Sequence, residues 1–500
     1  MQRKFLKNLV LLLVLNLLIK PFWILGIDRA VQNTVGATEY GFYFAILNFS
    51  FLFNILLDFG INNFNNRNIA QNSHLLGKHL PNIFVLKMLL FSGYLIFTFG
   101  GAFFISYSRE QMLMLGLLAF NQFLLSFILY LRSNLGGLHL FRTDSLISVL
   151  DRTLMIIIVG VLLWGNVVDE FKIKYFVFAQ TFSYLLTFGI TFIIVLRKAG
   201  TKIFKLSWDP PFMLMIIRRS LPFALLGLLM TFYNRVDSVM LERMLPEGAK
   251  YSGIYASAYR LLDAVNQFSF LFSVLLLPIF SRMIKHKQEV QGMVRLAFTL
   301  LITPAVILAI GSFLYSSEIM HLLYPIHSGE SSFDFSFRME ASSRIFALLM
   351  LCFIGTSTNY IFGTLLTANG SLKALNLISL SGMVINVGLN LLLIPRHQAV
   401  GSAFASLVTQ SLVAMAQVII VFRIFKMKPN VSFIGRLLTL IIGALVIGLI
   451  SQKLPFSWII NLVIMGGASL LLAMAIRFFR IGQFVSIMRY GEPPEAQQKG

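Results

Sequence analysis

Apolar runs of bilayer-crossing length follow one another along this chain, from Leu6 to Ile476. A hydrocarbon core about 30 Å thick takes about 20 residues of α-helix to cross. Inside it every backbone N–H and C=O must find a partner within the protein, which a helix provides locally. Of the 500 residues, 57% are hydrophobic and only 12% are charged, with a mean hydropathy of +0.80. A soluble chain of this length would need more polar residues to cover its core. The chain is therefore an all-α, polytopic membrane protein.

The pattern predicts about fourteen spans of about 20 residues each. They are Leu6–Ile27, Tyr40–Asn62, Ile83–Ser106, Met112–Leu131, Leu146–Trp164, Tyr175–Leu196, Leu221–Leu245, Gly253–Ile279, Val294–Leu314, Ile345–Leu366, Leu375–Ile394, Gly401–Phe422, Leu437–Ile450 and Trp458–Ile476. The basic, then apolar start resembles a signal peptide. Its apolar run continues through Ile24 with no small-x-small cleavage site, so it reads as a retained first span. Lys198 to Arg219, with Trp208-Asp209-Pro210-Pro211, reads as a linker plus a short interfacial helix. Tyr315 to Arg344 reads as a longer external loop, and Tyr490 to Gly500 as a polar tail.

The net charge of +21 would suggest nucleic acid in a soluble protein. Here the excess collects in alternate loops, the positive-inside pattern of membrane proteins. An inner N-terminus places Arg3, Lys4, Lys7, Arg67, Arg132, Arg142, Arg152, Arg197, Lys198, Arg282, Arg423 and Arg477 on the cytoplasmic side, and both termini with them. Cys352 stands alone and seven histidines are scattered, so neither a disulfide nor a metal site is expected. No Walker sequence is present, and no cofactor is expected.

An internal repeat organises the spans. Phe49-Ser50-Phe51-Leu52-Phe53 recurs as Phe268-Ser269-Phe270-Leu271-Phe272, and Gly41-Phe42-Tyr43 before the first copy answers Gly253-Ile254-Tyr255 before the second. Ser145-Leu146-Ile147-Ser148 has a fainter echo in Asn376-Leu377-Ile378-Ser379. The expectation is two pseudo-symmetric six-helix lobes, 1–200 and 201–425, with two further helices and a polar tail in 426–500. An even number of helices per lobe makes the repeats parallel.

Charges inside the spans narrow the function. One such charge costs about 2.5–3.5 kcal/mol on insertion scales and faces a partner or a wet cavity. Arg235 and Asp237 lie two apart on span seven and do not face each other. Arg260 and Asp263 lie three apart on span eight, where they can neutralise each other. Lys20 precedes Pro21 in span one, and Asp58 ends span two within reach of Arg67. Asp28-Arg29 and Glu242-Arg243 read as interfacial pairs near the outer ends. Asn386 and Asn390 are candidates for hydrogen bonds between helices. Pro21, Pro222 and Pro278 are candidate hinges, because proline frees a carbonyl and bends a helix.

Several stretches together carry a resemblance: VGATEYGFYFAILNFSFLFNILLDFGINNFNNRNIA, RRSLPFALLGLLMTFYNRVDSVML, GIYASAYRLLDAV and INVGLNLLLIPRHQAVGSAFASLVTQ. In order and spacing the chain resembles the multidrug/oligosaccharidyl-lipid/polysaccharide exporter superfamily, and within it the O-antigen (Wzx-type) flippases of lipopolysaccharide assembly. The resemblance implies a two-lobe fold with a central cavity and alternating access. It also implies movement of polyprenyl-pyrophosphate-linked oligosaccharides from the cytoplasmic to the periplasmic leaflet of the bacterial inner membrane. Membrane lipids and other polysaccharide-assembly proteins are the implied partners, with no nucleic acid. Lys20, Arg235 and Arg260 are then the candidate cavity residues for the anionic headgroup. Lys20 and Arg235 each lie about 20 Å along their spans at 1.5 Å per residue. Asp237 and Asp263 are candidates for ion coupling or charge pairing.

Two rivals share the spans. A cation-coupled drug exporter of the same fold would favour acidic residues in the first lobe, whereas the buried charges here lean basic; a lipid II flippase is the nearer relative. A membrane glycosyltransferase or polymerase would need a large external loop or an acidic metal pair, and Asp334-Phe335-Ser336 offers none. No catalytic residues are expected.

Overall fold

The computed structural model describes residues 14–62, 65–66, 69, 76–199, 210–327 and 329–479. Its regular elements are helices. The first, α1 (residues 14–22), passes through a π-turn, Trp23–Asp28, straight into α2 (Arg29–Leu52). The connection expected between spans one and two is therefore short, with helix on both sides of it. It is bent at Gly36, whose φ of 79° and ψ of 172° suit a residue without a Cβ. The π-turn begins two residues after Pro21, where the proline ring withholds a backbone donor.

Then follow α3 (Leu76–Phe104), α4 (Arg109–Gly137), α5 (Phe141–Trp164) and α6 (Ile173–Ala199). After them come α7 (Pro210–Met244), α8 (Gly248–Lys285), α9 (Gln291–Leu314) and the short α10 (Ser316–Leu323). The chain continues with α11 (Ser332–Ala368), α12 (Leu372–Ile424), α13 (Val431–Ser451) and α14 (Trp458–Ala475).

Three expected boundaries move. Pro210 and Pro211 open α7, where the missing N–H costs nothing, so the expected interfacial helix and span seven are one rod. The expected loop from Tyr315 is largely α10 and the first turns of α11, capped by the Ser331 hydroxyl, which accepts from the Asp334 amide at 3.1 Å. Spans eleven and twelve meet without a loop: two helices follow each other directly in α12 and part at a kink at Gln398 (φ 51°, ψ −135°), just after Pro395. Ten helices among the described residues are long and apolar enough to cross a membrane. At 1.5 Å per residue α12 alone has length for two crossings.

The chain divides into two compact units. The first comprises Met1–Ser257, Ile326–Gly329 and Asn390–Ala399; the second comprises Ala258–Pro325, Glu330–Leu389 and Val400–Gly500. In the second, α13 and α14 pack on α9 through Ile302, Val306, Ile310, Leu440, Ala444, Met465 and Ala473. The Tyr315 and Ser451 hydroxyls, 2.7 Å apart, close the end of that seam.

In the first unit, α2 stops inside its expected span. Phe53 leaves helical geometry and a 3₁₀ turn, Asn54–Leu57, takes over. The freed polar groups need partners, since lipid supplies none. Tyr94 donates to the Ser50 carbonyl at 2.9 Å, and Asn54 donates to Gln122 at 2.9 Å. The Leu57 carbonyl accepts from Lys87 at 2.9 Å and from Ser126 at 3.0 Å.

The same unit contains the meeting of the repeat landmarks. A Cβ on Gly41 would fall onto the Ala249 carbonyl oxygen, and one on Gly253 would fall onto the Ala37 carbonyl oxygen. Ala37 and Ala249 each precede their glycine by four residues, so the contact is reciprocal, as across a local two-fold axis. Only glycine lets α2 and the start of α8 approach this closely.

Candidate functional site

Four groups of charged side chains inside the helices, among the described residues, bear on the candidate site. The first surrounds Lys20, which is half-buried on α1 and lies in the fields of Arg152, Asp151 and Arg132. One turn earlier on each helix, Asn16 donates to Ser148 at 3.0 Å, which fixes the register of α1 on α5. One turn later, the Arg152 guanidinium lies 5.6 Å from the ring centre of Trp23 and 5.9 Å from that of Tyr184. Trp23 is itself stacked on Phe176. Arg152 approaches Asp151 at 3.6 Å, and Arg132 holds Asp144 at 2.7 Å. Sequence reasoning placed Arg152 with the inner loops. It lies eleven residues into α5, about 16 Å along the helix. The missed signal was its position inside the hydropathy boundary of span five.

The second group surrounds α7. The Arg235 guanidinium lies 5.5 Å from the ring centre of Phe51, a cation–π contact. Asp237 is 1% exposed and turns to other helices: it accepts from the Tyr255 hydroxyl at 2.7 Å and from the Asn390 amide at 2.7 Å. The partners that sequence spacing denied to this pair thus come from α2, α8 and α12. Asn390 makes its expected bond between helices, onto a carboxylate.

The third group, in the second unit, is Arg260 with Asp263, 3.7 Å apart on α8 and both partly buried. Here the local pair expected from spacing is present.

The fourth group is Asp58. Its partner is Lys87 of α3, at 3.1 Å, whose ammonium also donates to Ser126 Oγ at 2.8 Å. Arg67, its expected partner, lies outside the described residues. Lys87 is a lone cation in an apolar run that sequence reasoning passed over, although a single intramembrane charge is itself a signal.

Two outer pairs are more than interfacial. Asp28 is 0% exposed and takes the Tyr40 hydroxyl on both oxygens, at 2.9 and 3.0 Å. The kink at Gly36, between the two residues, turns the chain so that the tyrosine comes back onto the carboxylate. Glu242 bonds Arg243 and accepts from Gln111 at 2.8 Å, while Arg243 donates to the Ile105 carbonyl at 3.1 Å. The pair thus ties the end of α7 to the α3–α4 turn. Pro222 and Pro278 lie inside α7 and α8, which continue through them.

Among the described residues the arrangement offers no nucleophile–base constellation. It offers cations and caged carboxylates inside apolar helices, which suits the passage of a charged solute. Residues 5–284 match the family model for polysaccharide biosynthesis protein. The chain belongs to the polysaccharide biosynthesis protein family. The solved structure of the lipid II flippase MurJ, in an inward closed conformation, aligns over 94% of this chain and 99% of its own, with a TM-score of 0.70 and 14% identity. An inward-facing multidrug resistance MATE family transporter of the MOP superfamily aligns over 83% and 94%, at 0.53 and 15%. A Vibrio cholerae MATE transporter aligns over 84% and 97%, at 0.53 and 14%. At such identities the likeness establishes the fold: this member of the polysaccharide biosynthesis family has the helical fold of MOP-superfamily transporters. No curated protein sequence matches the chain.

Proposed function

We propose that the protein is a flippase that carries polyprenyl-pyrophosphate-linked oligosaccharides from the cytoplasmic to the periplasmic leaflet by alternating access. The bacterial cytoplasmic membrane is its site, with both termini inside. The observation that carries this reading is the presence of intramembrane cations in a polysaccharide biosynthesis protein. Lys20 and Arg235 are half-buried on helices, and Arg260 is partly buried on α8. Such charges are expensive unless they serve an anionic ligand or a partner, and a pyrophosphate-linked sugar is the anion that this family's pathway offers. The sequence repeat divides the chain into lobes 1–200 and 201–425, with 426–500 appended. The O-antigen unit of lipopolysaccharide is the proposed cargo, and other polysaccharide-assembly proteins are the proposed neighbours.

Asp237 and Asp263 are the coupling candidates. A buried carboxylate caged by a hydroxyl and an amide, as Asp237 is, also suits the cation-coupled drug exporter of the same fold.

Complementation in strains that each lack one defined flippase separates the readings. The flippase reading expects rescue of one surface glycan by the wild type and its loss in Arg235→Ala and Arg260→Ala at equal membrane expression. Normal rescue by both variants would remove these residues from the cargo path. Drug resistance without any glycan rescue would favour the exporter.

A further inference from the structure

Five ionisable side chains from three helices gather in the first unit: Lys20 of α1, Arg132 of α4, and Asp144, Asp151 and Arg152 of α5. They occupy two levels. Arg132 with Asp144 sits at the start of α5, and Lys20 with Arg152 sits about 12 Å further along the helix axis. The register is fixed on both sides of the upper level, by Asn16 on Ser148 below and Trp23 against Arg152 above.

The charge balance is uneven. Three cations face two carboxylates, and each carboxylate is engaged by an arginine, at 2.7 and 3.6 Å. Among the described residues Lys20 has no carboxylate within ion-pair distance, and it lies in the fields of two guanidinium groups against that of one carboxylate, Asp151. The structural pair in the same unit, Lys87 with Asp58, is neutral and its ammonium is surrounded by acceptors. A surplus cation beside like charges inside apolar helices instead asks for a mobile anion. The Arg152 guanidinium lies against two aromatic rings, 3.6 Å from Asp151 and 3.4 Å from the Met155 sulfur, and its planar fork matches the geometry of phosphate oxygens.

We propose that Arg132, Arg152 and Lys20 form a two-step ladder for a pyrophosphate headgroup. Arg132 receives it near the inner end, and Lys20 with Arg152 holds it at mid-depth after Arg152 exchanges Asp151 for phosphate oxygens. The ladder rests on the flippase reading and adds to it two arginines and an order of contact.

The test uses the full chain in lipid nanodiscs, titrated with farnesyl pyrophosphate and read by tryptophan emission, since Trp23 touches the upper level. Trp23→Phe identifies its share of the signal, and isothermal calorimetry gives the affinity independently. Lys20→Gln and Arg152→Gln are each expected to weaken binding at least tenfold, about 1.4 kcal/mol. Arg152→Lys should lose less, because it keeps the charge without the fork. The paired variant Asp151→Asn/Arg152→Gln removes one charge of each sign and so leaves the net charge of the cluster as it was. If Arg152 is only structural, this pair restores both melting temperature and binding; the ladder expects melting restored and binding still lost. Farnesol and inorganic pyrophosphate separate tail from headgroup, and a lipid-borne source from a free one. Weak farnesol binding with competition by pyrophosphate supports the ladder.

Binding of farnesyl pyrophosphate by the paired variant within twofold of wild type would overturn the proposal. So would equal affinity for farnesol, or no binding by the wild type. A wild type that rescues glycan export without needing Arg152 would leave the flippase reading standing and remove the ladder alone.

Discussion

Lys87 shows how one side chain inside a membrane helix can be structural. Its ammonium has three protons and meets the Leu57 carbonyl, Asp58, and the carbonyl and hydroxyl of Ser126, at 2.8–3.4 Å. Removing one member of such a pair strands the other, at a cost of about 3–5 kcal/mol when both are buried. Asp58 is about a quarter exposed, which favours the lower end of that range. Lys87→Met is therefore expected to destabilise by about 3 kcal/mol, and Lys87→Met/Asp58→Leu by less than the single change. Denaturant melts in detergent would check this, and equal stability of the single variant and the wild type would contradict it. Asp237 makes the converse case, since two neutral donors hold one carboxylate. Asp237→Ala leaves the Tyr255 hydroxyl and Asn390 amide without their acceptor, at about 1–3 kcal/mol for each group. A melting curve that matches the wild type would show that both donors find other partners. Asp58 and Asp237 were legible in the sequence because an apolar run makes a charge stand out, whereas Lys87, in an equally apolar run, was passed over. Their partners were not, because Tyr255 and Asn390 lie 18 and 153 residues from Asp237. The Leu57 carbonyl is available to Lys87 only because α2 breaks nearby.

Among the elements, α2 departs furthest from the expected straight span, and each of its irregularities has a cause. Gly36 bends it, and Phe53 ends it where Lys87, Tyr94, Gln122 and Ser126 take up polar groups at the 3₁₀ turn. Hydropathy sees neither event, since it counts apolar residues and not hydrogen bonds. The two Gly-x-Tyr sequences were visible, but their similarity does not say that they touch. Their contact explains the glycines: at Gly41 and Gly253 a side chain would meet backbone, which cannot swing aside. Gly41→Ala and Gly253→Ala are each expected to push α2 and α8 apart, at about 1–3 kcal/mol, the usual cost of overpacking. Spin labels on the two helices would read the change as an increased or broadened distance. Because the contact is reciprocal, the two substitutions should act alike. An effect from one glycine without the other would refute the two-fold reading of the crossing.

For the whole molecule, composition alone identified a helical membrane protein, because 57% hydrophobic residues leave no soluble alternative at this length. The two appended helices also followed from counting spans, but their attachment did not. They lie on α9 along a seam with small residues at its close approaches, Gly311, Ala444, Gly448 and Ala473. In lipid such a seam gains no hydrophobic driving force, since acyl chains are as apolar as leucine, and it holds by close packing and interhelical bonds of about 1 kcal/mol. Removal of residues 426–500 should therefore be milder than removal of a core helix from a soluble protein. The truncated chain should still insert, losing the Tyr315–Ser451 bond and the close packing on α9. Helix α11 packs on the same α9 and carries Cys352, the chain's one cysteine, which is 1% exposed. A thiol-reactive dye on a heating ramp then reports opening of the second unit without any added label site. The expected outcome is Cys352 labelling at a lower temperature in the truncated chain, with Lys87→Met leaving its onset nearer to the wild type because that residue belongs to the first unit. A truncated chain whose Cys352 reacts at the wild-type temperature would mean that lipid replaces α13 and α14 against α9 at no loss. The role of the two helices would then have to lie outside the stability of the second unit.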